Sequence, residues 1–113
     1  MLRAEVMQDQ EFFRQLELCG YRFVGWRGEQ LTRAEDVASV GEPRRAKILD
    51  FGVDEIVIKQ YGGTAIVWGL DTLVMEEPGG RRRVTRSRFT HAYLWRESRW
   101  RLAAAHASEV SGR

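Results

Sequence analysis

The sequence is poor in several of the residues that would announce a chemistry. It has 113 residues, with one cysteine, two prolines and two histidines. A single cysteine, Cys19, excludes a disulfide within the chain. With only His91 and His106 beside it, a structural zinc site is not expected. No apolar run approaches the roughly 20 residues that span a bilayer. The opening "MLRAEVMQDQEFF" lacks the apolar core of a secretory signal, so the expected location is the cytoplasm, with no membrane partner. The carboxylates show no calcium-loop spacing. No GxSxG, cysteine–histidine motif or phosphate-cradling glycine loop is present, and no cofactor is expected.

What is present describes an ordinary folded domain. Hydrophobic residues make up 43% and charged residues 30% of the chain, and the net charge is only +2. That length suits one domain, residues 1–113, with one modest core. Positive charge gathers at "GGRRRVTRSR", which holds Arg81, Arg82, Arg83, Arg86 and Arg88. Such a cluster can bind phosphate, an acidic ligand or nucleic acid. Without an aromatic platform beside it, it reads as a solvated hairpin, and nucleic acid is not an expected partner.

Residues 4 to 19 carry Val6, Phe12, Phe13, Leu16 and Cys19 near a 3.6-residue period, which predicts a helix capped at Gly20. "YRFVGW" predicts a strand and "RGEQ" a turn. Thr32 with Glu35 has capping-box spacing and starts a short helix, which Gly41 and Pro43 end. From Ala46 the period becomes two. Strands are predicted over 46–61 with a kink at Gly52, over 64–77, over 82–95 and over 100–108. Tyr61-Gly62-Gly63, Pro78-Gly79-Gly80 and "RESR" form the turns. Helices first and then a meander make an α+β fold, with helices on one face of the sheet.

Neither face of that sheet is properly polar. One phase of alternation holds small residues, Ala65, Gly69, Ala92 and Ala104, which leave room for a cavity. The other holds Tyr61, Trp68, Leu70, Phe89, His91, Tyr93 and Trp95. An apolar patch of that size predicts a second subunit, so a homodimer through this outer face is expected.

Three segments then resemble one family in the right order: "YRFVGWRGEQLTRAEDVA", "VDEIVIKQYGGTAIVWG" and "RFTHAYLWRESRWRLAAAHAS". They are similar to the strand–helix, hairpin and closing-hairpin segments of the nuclear transport factor 2-like superfamily, in its SnoaL-like, ketosteroid-isomerase-like branch. The resemblance covers roughly residues 9 to 108. It implies a curved, mixed sheet wrapped as a cone against N-terminal helices, with a pocket inside and dimers formed through the outer face. Matched strand by strand, Ile56, Ile58, Gln60, Thr90, Ala92, Leu94 and His106 would face inward, and Lys59, Trp68, His91 and Tyr93 outward. Against that pattern the first helix is shortened.

Within such a cone His106 is the leading acid–base candidate, because a histidine exchanges protons near neutral pH. Asp71 follows Val67 and Gly69 on the inward face, where an apolar setting would raise its pKa and suit a general base. It does not match the motif of the isomerases' aspartate. Tyr21, Phe23, Gln60 and Trp100 are the expected ligand-binding residues. Two functions stay open. One is a pocket for a small hydrophobic ligand, including a cofactor-independent isomerase or cyclase working by proton transfer. The other is a non-catalytic dimeric binding or association module.

Overall fold

The computed structural model describes residues 10–25, 27–41 and 47–110. Among them the chain forms two helices and six strands. They are α1 (Gln10–Leu16), β1 (Glu17–Val24), β2 (Gln30–Thr32), α2 (Arg33–Val40), β3 (Lys47–Tyr61), β4 (Thr64–Glu76), β5 (Arg82–Arg96) and β6 (Arg99–Glu109). The strands make one sheet in the order β2-β1-β6-β5-β4-β3. Neighbours run antiparallel except β1 and β6, which are parallel. The architecture is the expected α+β one. The sheet stays open, with β2 and β3 as its edges, rather than curling into a closed cone.

The local turn and capping signals hold. Gly62 and Gly63 link Tyr61 to its partner Thr64, with Gly62 at φ 59°. Gly79 and Gly80, at φ 98° and 86°, turn β4 into β5. Glu97 and Ser98, at φ 54° and 63°, form the two-residue turn that pairs Arg96 with Arg99. Left-handed backbone at both central positions matches the twist of the flanking strands. The capping box of α2 is complete: the Thr32 hydroxyl accepts from the Glu35 amide and the Glu35 carboxylate accepts from the Thr32 amide. Gly41 ends the helix, and Pro43 lies outside the described residues.

The N-terminal half departs from expectation. The helix stops at Leu16, and Glu17–Cys19 already belong to β1, so Gly20 lies inside a strand rather than at a cap. Residues 4–9 of the expected helix, and Trp26 of the expected strand, lie outside the described residues. Tertiary partners override the helical period here. The Glu17 carbonyl accepts from Arg33 Nε at 3.1 Å and from an Arg101 guanidinium nitrogen at 3.2 Å. A further strand, β2, pairs with β1 where only a turn was expected. The kink in β3 is not at Gly52 either. Pairing shifts between Ile48 and Asp50 and again between Asp54 and Val57, where Glu55 takes φ 54°. These are bulges, which bend and twist an edge strand.

Among the described residues the helices pack mainly on the β2–β1–β6 end of the sheet. Phe13 and Val37 are buried between α1 and α2, with Leu16 and Val40 beside them. Tyr21, Leu102 and Ala105 form the adjoining core, packed by Leu16, Phe23 and Tyr93. The β3–β4–β5 end extends past this core, and the chain is elongated, 47 × 29 × 25 Å. Among the described residues no helix is long and apolar enough to cross a membrane.

Candidate functional site

Strand register decides which side chains share a face with the helices. Opposed residues in a sheet project to the same side. Tyr93 packs in the core with Leu102, its partner, so this pair marks the helix side. Ala65 is opposite Tyr93, Val67 opposite His91, Gly69 opposite Phe89 and Asp71 opposite Ser87. Gln60 and Ile58 extend the same rows onto β3. The helix-side face therefore carries Phe89, His91 and Tyr93 over the small residues of β4.

That placement corrects two expectations. Phe89, His91, Tyr93 and Trp95 stand on the helix side, whereas Tyr61, Trp68 and Leu70 are on the outer face, so the seven aromatic and apolar residues do not form one patch. Thr90, Ala92 and Leu94, expected inward, point outward with Trp68 and Ile66. His106 is also outward and exposed, opposite Thr90. Its strand alternates as expected through Trp100 and Leu102, but Ala103 is an extra residue between the pairs Tyr93–Leu102 and Ala92–Ala104. One inserted residue moves every later side chain to the opposite face. His106 Nε2 lies 3.2 Å from the Ser108 hydroxyl.

The helix-side face holds an apolar groove of about 360 Å³ between the β3–β4 hairpin and β6. Its walls are Ile58, Gln60, Ala65, Val67, Tyr93 and Trp100. It continues past Gln60 and Trp100 to Gly62, Gly63 and Trp95. Trp95 and Trp100 pack edge to face at 5.4 Å between ring centroids. Of the expected ligand residues, Gln60 and Trp100 meet here. Tyr21 and Phe23 belong to the core alongside, Tyr21 being buried. The Gln60 amide donates to the Gly62 carbonyl at 3.2 Å, which fixes its position at the hairpin end.

The polar feature of the groove is Tyr93. Its hydroxyl is 3.3 Å from His91 Nδ1, and the rings meet edge to face at 6.0 Å. Burial pushes the imidazole pKa down and the phenol pKa up. Both groups are thus neutral at pH 7, and the phenol can donate to the imidazole or accept from it. Beyond His91, the Phe89 ring packs against the imidazole at 4.7 Å, tilted by 41°, and sits over Gly69. Asp71 lies past Phe89 on the same face, so the aromatic ring separates it from His91. Burial raises the Asp71 pKa, and a hydrogen bond from the Ser87 backbone partly offsets that.

A second buried acid was not foreseen. Glu17 is 0% exposed, with neither carboxyl oxygen hydrogen-bonded to a donor. Burial, with the adjacent Asp36 carboxyl next in effect, pushes its pKa up to about 9, so it is protonated at neutral pH and can donate to Asp36. Arg33 opposes the shift only in part. Glu17 sits at the α1–β1 junction, outside the groove. Among the described residues no group of three or more histidine, cysteine, aspartate or glutamate side chains could hold a metal ion.

This arrangement of sheet and helices has known counterparts. A structure from Exiguobacterium sibiricum 255-15, assigned as a calcium/calmodulin-dependent kinase II association domain, aligns over 98% of this chain and 85% of its own, with a TM-score of 0.83 and 15% identity. An NTF2-like protein of unknown function in nutrient uptake from Rhodospirillum rubrum ATCC 11170 aligns over 97% and 92%, with a TM-score of 0.80 and 18% identity. A protein from Streptomyces avermitilis, assigned as a dehydratase of the NTF2-like family, aligns over 97% and 88%, with a TM-score of 0.81 and 18% identity. No protein-family model matches the sequence, and no curated protein matches it. At these identities the likeness is one of fold: the chain has the NTF2-like α+β fold.

Proposed function

We propose that this NTF2-like fold binds a small, mainly apolar molecule in the groove between Tyr93 and Trp100. The observation that supports it is the His91-anchored Tyr93 hydroxyl in a wall that is apolar apart from Gln60. Ligand sites combine apolar enclosure with a few fixed polar groups, and this groove offers the phenol and the Gln60 amide. A ligand with a ring or short chain and one carbonyl or hydroxyl fits that chemistry. A proton transfer on such a ligand would use the His91–Tyr93 pair, with Asp71 held apart by Phe89.

The test is a titration with a panel of small cyclic ketones, phenols and fatty acids, followed by intrinsic tryptophan fluorescence and by NMR shifts of the Tyr93 and Trp100 signals. Saturable binding that Tyr93→Phe weakens and Trp100→Ala abolishes is the expected result. Shifts confined to other surfaces would sink the groove as the site.

A second reading rests on the opposite face of the sheet. Val57, Tyr61, Trp68 and Val84 are exposed there, Tyr61 to 65% and Val84 to 59%. Such a surface suits self-association. The likeness to a kinase association domain points the same way. Sedimentation velocity across a concentration series tests it, and a chain that stays monomeric throughout argues against it.

A further inference from the structure

Trp100 is a wall shared by two hollows. On one side lies the groove between the β3–β4 hairpin and β6, with Ile58, Gln60, Ala65, Val67 and Tyr93. On the other lies a second hollow of about 270 Å³, bounded by Phe12, Gln15, Leu16 and Arg99. The start of β1 brings Arg99 to it. That strand joins β6 at Glu17, opposite Leu102. Among the described strands nothing pairs with the β1 side of residues 99–101, and α1 packs beside this open edge. Among the described residues that line the two hollows, Arg99 is the one charged side chain. It is exposed and has no hydrogen-bond or ion-pair partner among the described residues. The acids of the adjoining turn and helix are engaged elsewhere. Glu97 holds Arg101 at 2.7 Å, and Glu11 holds Arg14 and the Gln15 amide.

We infer that the groove takes an amphipathic carboxylic acid, with its carboxylate on the Arg99 guanidinium and its apolar chain lying across Trp100 toward Ile58 and Val67. The inference rests on the groove reading and names the ligand class. A guanidinium presents two parallel N–H groups that match the two oxygens of a carboxylate. The indole of Trp100 supplies a rigid apolar surface for the chain next to that head. A chain seated there also keeps water from one side of the ion pair, which strengthens it. A phosphate is the poorer fit, because a dianion needs further donors. The Gln15 amide, which also lines the hollow, already donates to Glu11 at 3.1 Å. A cationic head would be repelled, and a neutral head would leave the guanidinium unused.

Octanoate and octanol, alike in chain and different in head, test this by calorimetric titration together with NMR shifts of the Tyr93 and Trp100 signals. Octanoate is expected to bind about tenfold tighter than octanol at low salt. Arg99→Gln should bring octanoate down to the level of octanol and leave octanol unchanged, and Arg99→Lys should recover part of the difference. Arg96 is the partner of Arg99 across the turn and donates to the Trp95 carbonyl. Arg96→Gln should leave both probes unchanged. Both arginines are exposed, so these variants keep the fold. Raising NaCl from about 50 to 500 mM should weaken octanoate and spare octanol. Equal affinities for the two probes, a preference that survives Arg99→Gln, or an equal loss with Arg96→Gln overturns the carboxylate subsite while the groove stands. If neither probe shifts the Tyr93 and Trp100 signals, groove and subsite fall together.

Discussion

Phe89 lays its ring on Gly69, its partner across β4 and β5. A Cβ at residue 69 would sit 2.4 Å from the tip of that ring. The glycine is thus a seat for an aromatic side chain, and the ring in turn backs the His91 imidazole at 4.7 Å. Gly69→Ala must push Phe89 aside. We expect a loss of about 1–2 kcal/mol in chemical denaturation, within the usual range for overpacking. The His91 ring signals should move with it in NMR spectra. An alanine variant as stable as wild type, with unmoved His91 signals, would show that the contact matters little.

His91 should titrate below the ordinary imidazole range, because burial disfavours its charged form. The unfolded chain then binds a proton that the folded one resists. This contribution is intact above the unfolded pKa and is lost as pH falls below about 6.5. An NMR pH titration of the imidazole reads it directly, and a midpoint at or above the ordinary value contradicts the burial argument.

Glu17 works in the opposite sense. Its folded pKa, about 9, lies above the ordinary carboxyl value of 4.5. Below 4.5 both states hold the proton and nothing is lost. As pH rises from there toward 9, the unfolded state releases its proton while the folded state keeps it, so stability falls. Glu17→Gln keeps the shape and removes the titration. It should raise stability at pH 8 by on the order of 2 kcal/mol and leave it nearly unchanged at pH 4. Melting curves at the two pH values check this, and equal gains at both would mean that ionisation of Glu17 is not the cause.

Thr32 and Glu35 close the start of α2 by exchanging hydrogen bonds, 3.3 Å from the Glu35 amide to the Thr32 hydroxyl and 2.9 Å in return. Thr32→Ala should cost about 1 kcal/mol, and Thr32→Ser should recover most of it. Urea denaturation of the three proteins tests this. If serine fails to recover what alanine loses, the hydroxyl is not the operative group.

The sequence determined the elements whose signals are local. The Thr32–Glu35 box, the glycines at 62–63 and 79–80, and the two-residue period of β3 to β6 each act over a few residues, and each appears where it was read. One relation between strands was legible in it as well. The Pro78-Gly79-Gly80 turn sets Glu76 opposite Arg82, and counting back from there puts Gly69 opposite Phe89 and Ala65 opposite Tyr93. Small residues facing large ones would have placed His91 and Tyr93 on the helix side.

The tertiary structure decided the rest. Alternation tells which residues share a side within one strand, but not which side meets the helices. The Ala103 bulge turned His106 outward although Trp100 and Leu102 fell where expected. Glu17, helical by its period, became the first residue of a strand because Arg33 and Arg101 hold its carbonyl from α2 and β6. These outcomes depend on contacts between residues far apart in the chain. A one-residue change of register costs little locally and reverses a whole face.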